Sequence, residues 1–188
     1  LAARLDRLAK AKAIAQIGSV VGRTFSHEII QSLHHMDERA LAEGLAELIA
    51  SGLAVSSGVT PGPISYTFKH ALIRDVAYDS LLRSQRKPLH ARIAQVLEER
   101  HPETRIREPE LLAHHYTAAD DQAAAAPLWL KAGEVAMQRF AVPEAVSHLR
   151  KGIGLIETAS PGPERDLLEL RFRASPGPAL VAGRGWGP

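Results

Sequence analysis

Residues 66–78 read YTFKHALIRDVAY, and this stretch decides the fold. Tyr66 and Phe68 alternate with polar neighbours, which predicts a β-strand. After His70 the apolar positions follow helical spacing instead, which predicts a helix from His70 to about Leu82. The positions that show this spacing are Leu72, Ile73, Val76, Ala77, Leu81 and Leu82. His70 therefore stands where a strand ends and a helix begins.

This junction makes His70 a candidate ligand-binding residue. A side chain at a helix start lies beside exposed backbone N–H groups, where anions such as phosphates are favoured. The alternative is that the His70 side chain only caps or packs the corner between strand and helix.

Three helices are predicted before this stretch. The first covers residues 2 to about 17, and Gly18 and Gly22 are expected to mark its end. Ser26 and Asp37 are predicted N-caps of the second and third helices. Gly52 is expected to end the third helix.

Two strands follow the three helices. They are predicted over residues 53–55 and 64–68, and a loop rich in Gly and Pro joins them. Three helices followed by a strand, a loop and a strand is the element order of a winged helix.

Only helices are predicted after residue 82. Pro88 is expected in the first turn of the next helix, where its missing N–H does no harm. Further helices are predicted from Glu108 to Tyr116, from Ala124 to Phe140, from Pro143 to about Glu157, and again from Leu167.

The segment from Trp129 was compared with the tetratricopeptide template W-x2-L-G-x2-Y, A-x3-F, Pro. Small residues at 133 and 145 would let two antiparallel helices approach closely. The alternative is an Ala-rich helical hairpin of any kind. The residues at these positions are Trp129, Ala132, Gly133, Ala136, Ala145 and Leu149, with Ala in place of both Leu and Tyr, and Pro161 follows slightly late.

The composition is that of an ordinary globular protein. Of 188 residues, 45% are hydrophobic and 23% charged, and the formal net charge is +2. So small an excess is weak evidence for a nucleic-acid or membrane partner. The absence of cysteine excludes disulfides and thiolate metal sites, and fits a reducing cytoplasm. No apolar run approaches the roughly 18 residues of a membrane span.

Catalytic and metal-binding motifs are missing from the sequence. Residues 18–23 contain two glycines but no lysine where a phosphate loop needs one, and neither H-E-x-x-H nor G-x-S-x-G occurs. His34–His35 and His114–His115 are adjacent pairs, whose side chains point about 100° apart on a helix and so chelate a metal poorly. We therefore expect no catalytic residue, metal ligand or resident cofactor in this chain.

Winged helices often bind DNA, so the charge around the predicted hairpin bears on function. A recognition helix and wing need positive charge to meet phosphates. The helix before the hairpin carries Asp37, Glu38, Glu43 and Glu47 against Arg39 alone, and residues 56–64 contain no Lys or Arg. This charge distribution argues against DNA. The basic cluster at Arg83, Arg86, Lys87 and Arg92 is interpreted as a solvated helix face.

Seven segments in fixed order resemble one group of proteins. They are ARLDRL (3–8), AQIGSVVGRTFS (15–26), LAELIASGLA (45–54), YTFKHALIRDVAYDSLL (66–82), LHARIAQVLEER (89–100), PELLAHHYTAAD (109–120) and LWLKAGEVAMQRFAVPEAVSHLRKGI (128–153). The order is similar to that in bacterial signalling ATPases of the STAND type, in which an AAA+ ATPase and a tetratricopeptide array are fused to class III adenylate cyclase domains or other output domains.

The resemblance implies three segments. Residues 1–103 correspond to the end of the ATPase module with a winged-helix-like domain, 104–174 to the start of the repeats, and 175–188 to a Pro- and Gly-rich tail. The fold class expected is mainly α, with a winged-helix-like module and a small β-hairpin followed by helical hairpins like tetratricopeptide repeats.

The resemblance also implies a role for His70. Residues 70–75 resemble the Met-His-Asp motif of related STAND ATPases, whose histidine touches the phosphates of bound ADP. Lys69 and Ala71 replace the flanking Met and Asp. His70 is thereby a candidate nucleotide-phosphate sensor, and ATP or ADP is implied for a longer parent protein rather than for this segment.

The function expected is non-catalytic and regulatory. We interpret the chain as a cytoplasmic fragment that couples the nucleotide state of an upstream ATPase core to a protein partner bound by the helical repeats. Two alternatives stay open: a DNA-binding winged-helix regulator, and a helical-repeat adaptor without nucleotide coupling.

Overall fold

The protein is mainly helical, with a small three-stranded antiparallel sheet, in a computed structural model. The structure describes residue 5 and residues 8–33, 37–57 and 64–175. The predicted mainly-α class with a β-hairpin is confirmed. The chain divides into two compact units, residues 1–96 (unit 1) and 97–188 (unit 2), and the division falls within the helix Arg83–Arg100. The assignment of domains to residues 1–103, 104–174 and 175–188 stays a prediction.

Unit 1 contains the sheet. Its elements are α1 (Ala9–Val21), β1 (Thr24–Ser26), α2 (His27–Leu33), α3 (Glu38–Ala50), β2 (Ala54–Ser57), β3 (Ser65–Phe68), α4 (Ala71–Asp79) and the first part of α5 (Arg83–Arg100).

Unit 2 is helical throughout its described part. After the end of α5 it contains α6 (Thr104–Arg107), α7 (Pro109–Ala118), α8 (Gln122–Gln138), α9 (Val142–Thr158) and α10 (Pro163–Ala174).

The strand β1 was not predicted. The sheet has the order β1-β3-β2, and β3 pairs antiparallel with both neighbours, with Thr24 opposite Thr67 and Ala54 opposite Phe68. Three residues are too few to show an alternating pattern in the sequence. Their strand conformation comes from hydrogen bonding to β3, which is a tertiary interaction.

Phe25 of β1 is the centre of the unit 1 core. Its ring is 2% exposed and lies 5.8 Å from the ring centroid of Tyr66 and 5.3 Å from that of Phe68. Helices α1, α3 and α4 cover this face of the sheet with Ile14, Leu41, Leu45, Leu48, Ile73 and Ala77. The core therefore fixes the strand β3 and the helix that follows it.

Three predicted caps are confirmed. The Ile29 N–H donates to Ser26 Oγ at 3.1 Å, and the Ala40 N–H donates to Asp37 Oδ1 at 2.7 Å. Gly52 ends α3 with φ of 70°, a left-handed conformation that glycine adopts without strain.

Two predictions about helix boundaries are wrong. Gly18 does not end α1, because it is buried inside that helix, where a Cβ atom would lie 2.7 Å from the Phe25 ring. Pro88 is not in the first turn of its helix, because α5 already begins at Arg83. Both errors have the same origin: the sequence shows a residue that disfavours helix but not the packing that extends the helix around it.

Several predicted features lie outside the described residues. They are the start of the first helix apart from Leu5, the His34–His35 pair, the central part of the proposed wing (58–63), and the tail after residue 175.

Candidate functional site

His70 occupies the N-cap position of α4. Its backbone is extended, with φ of −135° and ψ of 144°, and its side chain is exposed and makes no capping hydrogen bond. The His70 carbonyl accepts from the Ile73 N–H at 3.0 Å, which closes the first turn of the helix. The His70 ring therefore does not cap the helix and is open to solvent at its start.

Backbone hydrogen bonds hold the residues just before His70. The Phe68 N–H donates to the Arg23 carbonyl at 3.0 Å, and the Lys69 N–H donates to the Leu53 carbonyl at 3.1 Å. The chain is thus attached on one side to the start of β1 and on the other to the residue before β2. This fixes the direction in which the chain enters α4, and with it the position of His70.

The neighbouring cations have other environments. The Lys69 amine lies 3.6 Å from the position of a Cβ on Gly52, at the end of α3, where the helix dipole favours a cation. Arg74 Nη2 is 2.5 Å from Asp75 Oδ1. Of these three basic residues, His70 is the one located at the start of α4. In the described part of the chain, no carboxylate lies within salt-bridge distance of its ring.

The sheet register also brings Arg23 to this end of the sheet. Arg23 is exposed, and its carbonyl accepts from Phe68, two residues before His70. Arg23, Lys69 and His70 therefore share one end of unit 1. Sequence reasoning missed Arg23, because its proximity depends on the unpredicted pairing of β1 with β3.

An exposed imidazole at an uncapped helix start can donate a hydrogen bond to an anion. A neutral imidazole carries one N–H and a protonated one carries two, and backbone N–H groups of the first turn point the same way. This arrangement suits the binding of a phosphate group.

Metal ligands do not converge in the part of the chain that the structure describes: no three His, Asp or Glu side chains there could share an ion. The rings of His114 and His115 have centroids 5.5 Å apart and planes at 64°. His115 is fully buried and His114 is exposed, so the two side chains point to different environments, as expected for adjacent helical residues.

In unit 2, Trp129 is a buried residue of the hairpin formed by α8 and α9. Trp129 is 3% exposed, and its indole N–H donates to Thr117 Oγ1 at 2.9 Å. His148 stacks on the indole with ring centroids 5.4 Å apart, and Lys151 Nζ lies 4.5 Å from the indole centroid. Burial lowers the pKa of His148, although Glu110 acts in the opposite direction.

Two glycines allow this packing. A Cβ on Gly133 would lie 2.6 Å from Leu149 Cγ, so α8 and α9 approach closely, as the sequence predicted for position 133. A Cβ on Gly152 would lie 2.3 Å from the Phe172 ring, which packs α10 against α9. The role of Gly152 was not predicted, because it depends on where α10 docks.

A polar network joins α5, α6 and α7 in unit 2. The Tyr116 hydroxyl donates to Glu98 Oε2 at 2.6 Å, and Arg105 pairs with the same carboxylate. Burial and then the hydrogen bond to Glu98 raise the pKa of Tyr116. This network links the three helices through the Glu98 carboxylate, and it was not predicted.

The acidic residues of α3 are partly engaged within the protein. Asp37 caps the helix, Glu43 bridges Lys10 and Arg39 at 2.7 and 3.0 Å, and Glu47 accepts from the Ala11 N–H at 3.3 Å. Hydrogen bonds from Lys10 and Arg39 lower the pKa of Glu43. The exposed surface of α3 therefore has no excess of positive charge for a DNA backbone.

Comparisons with known proteins are sparse. No protein-family model matches the chain, and no solved structure matches it. An uncharacterized protein of Rhizobium meliloti (strain 1021) is 28% identical over 182 residues, which cover 96% of this chain and 18% of that protein. The chain thus spans about a fifth of the length of the relative it resembles.

No helix of the described residues is both long enough and apolar enough to cross a bilayer.

Proposed function

We propose that this chain is a non-catalytic regulatory segment of a larger signalling ATPase of the STAND type. In this proposal, unit 1 senses the nucleotide on an ATPase core elsewhere in the longer protein, and unit 2 binds a protein partner through its helical hairpins. ATP and ADP are ligands of the longer protein. The output domain in this proposal is of the adenylate cyclase kind.

The observation that carries the proposal is the position of His70. An exposed imidazole stands at an uncapped helix start, and main-chain hydrogen bonds of Phe68 and Lys69 hold the chain that leads to it. A phosphate group fits this position, because both the imidazole N–H and the helix start favour an anion. Arg74 pairs with Asp75, and the Lys69 amine lies near the end of α3 rather than at the start of α4, so His70 is the sensor in this proposal.

Two further observations support a role within a larger protein. The chain resembles 18% of a much longer relative, with nearly the whole chain in the alignment. Gly133 and Leu149 bring α8 and α9 into close contact, which is the packing that tetratricopeptide-like units need. A cytoplasmic location goes with this proposal and fits the absence of cysteine.

The test is nucleotide retention by the longer protein. A hydrogen bond to a charged group contributes about 1.5–3 kcal/mol, so His70→Ala should accelerate ADP dissociation by roughly 10- to 100-fold and raise basal output. Lys69→Ala and Arg74→Ala are matched controls on either side and should change the dissociation rate much less. The isolated 188-residue chain should not hydrolyse ATP.

An unchanged ADP dissociation rate in folded His70→Ala protein would reduce His70 to a surface residue. Tight binding of a defined DNA duplex would favour the DNA-binding alternative. If both measurements are negative while unit 2 captures a partner, the chain is a helical-repeat adaptor.

A further inference from the structure

We propose that a groove between α1 and the start of α5 binds an acidic amphipathic helix of a partner protein. The groove has a volume of about 480 Å³ and lies within unit 1. Ala13 and Ile17 of α1 form one wall, and Pro88, Leu89 and Arg92 of α5 form the other. The proposal does not depend on nucleotide sensing by His70.

Several apolar side chains of the two walls are partly open to solvent. Ile17 and Leu89 are only half-buried, and Pro88 is exposed. Leu82 follows the groove residue Leu81 and has 65% of its surface exposed. A second apolar surface would gain from covering these side chains, because burial of apolar area is favourable.

The charge of α5 selects an acidic partner. Residues 83–97 contain Arg83, Arg86, Lys87 and Arg92 and no Asp or Glu. Arg86 is engaged with the Tyr78 ring, with the Leu81 carbonyl and, at 3.6 Å, with the Asp79 carboxylate, and Lys87 also has a partner within the chain. Arg92 lines the groove, and in the described part of the chain no carboxylate lies within salt-bridge distance of it. A carboxylate of the partner would complete a charge-assisted pair there.

The length of the wall suits a partner helix, and the lining disfavours single-stranded nucleic acid. From Ser84 to Arg92 the wall extends about 12 Å, which matches two turns of a partner helix. Apolar residues spaced three or four apart would fill the groove. The lining residues include no aromatic ring on which a base could stack.

The proposal can be tested with the 188-residue chain and a labelled synthetic peptide. The probe is a 14-residue helical peptide with leucines at i and i+4 and glutamates flanking them, and its binding is followed by fluorescence anisotropy. The control peptide has the same composition with the leucines distributed around the helix. We expect the amphipathic peptide to bind more tightly than the control by about tenfold or more.

Two charge reversals on α5 make the test specific. Arg92→Glu should weaken binding about tenfold, whereas Arg83→Glu changes the same charge on an exposed residue outside the groove and should have little effect. Both residues are exposed, so both variants should fold. Three outcomes would each overturn the proposal. The first is an equal loss of peptide binding in the two variants, and the second is no preference for the amphipathic peptide. The third is stronger binding to anionic phosphatidylserine vesicles that Arg83→Glu and Arg92→Glu weaken equally.

Discussion

Trp129 and His148 stack across the α8–α9 hairpin, with ring centroids 5.4 Å apart and ring planes at 23°. The same indole donates to Thr117 of α7, and its Cβ lies 3.1 Å from the position of a Cβ on Gly152. Gly152 in turn receives the Phe172 ring of α10. One tryptophan therefore stands where the helices of unit 2 meet.

Trp129→Ala should destabilise unit 2 by about 3–5 kcal/mol, because it leaves a large cavity in a packed core. Trp129→Phe retains much of the buried area but loses the hydrogen bond to Thr117, and should cost less. In Trp129→Ala, hydrogen exchange during thermal unfolding should show the helices of unit 2 opening before those of unit 1. Unchanged protection in Trp129→Ala would mean that the indole is not a core residue.

Gly133→Ala should destabilise the hairpin by about 1–3 kcal/mol through overpacking, because the added methyl would lie 2.6 Å from Leu149 Cγ. Gly154→Ala is the matched control in α9, since apart from its own helix backbone no atom of the described residues lies within 4 Å of its added methyl. The control should be stabilising by about 0.5–1 kcal/mol, because alanine favours helix over glycine. Denaturant unfolding of both variants gives the comparison, and a destabilising effect of the same size for both would refute close packing at Gly133.

The stability of unit 2 should fall as the pH is lowered below about 6.5, the ordinary pKa of histidine. Burial lowers the pKa of His148 in the folded protein, so the unfolded chain takes up a proton first. The stabilising contribution is complete above the unfolded pKa and is lost as the pH falls toward the folded pKa. Denaturant titrations at pH 7.5 and 5.0 measure the difference.

His148→Phe is the control for this pH effect. The Nδ1 atom of His148 is buried without a hydrogen-bond partner, so an aromatic ring without nitrogen can take its place on the indole. The pH-dependent loss of stability should be smaller in this variant than in the wild type. An identical pH profile would assign the effect to another group.

Phe140→Gly should stabilise the protein by about 1 kcal/mol, because Phe140 has φ of 58° and 90% of its surface is exposed. Glycine adopts this left-handed conformation without the steric cost. Phe140→Ala keeps the strain and removes only the exposed ring, so its free energy of unfolding should stay within about 0.5 kcal/mol of the wild type. Equal changes in the free energy of unfolding for the two substitutions would show that the backbone at residue 140 is not strained.

DNA affinity should be weak and without sequence preference, because α3 carries Glu38, Glu43 and Glu47 against Arg39 alone. Fluorescence anisotropy with unrelated duplexes at two salt concentrations tests this. Tight binding to one duplex that falls on Arg39→Ala would reverse the conclusion.

Local signals in the sequence determined the helices, their caps and the hairpin around Trp129. Ser26, Asp37 and Gly52 act within a few residues along the chain, so their roles follow from side-chain chemistry and backbone conformation. The change from strand spacing to helical spacing likewise placed His70 at the start of α4. Binary patterning carries this information because the strand and helix periods differ.

Tertiary contacts decided the rest, because they join residues that are distant in the chain. β1 is a strand because β3 pairs with it, and this pairing brings Arg23 to the same end of the sheet as His70. Gly18 stays helical because its missing Cβ leaves room for the Phe25 ring. The groove at Arg92 is lined by residues of both α1 and α5, so neither helix alone encodes it.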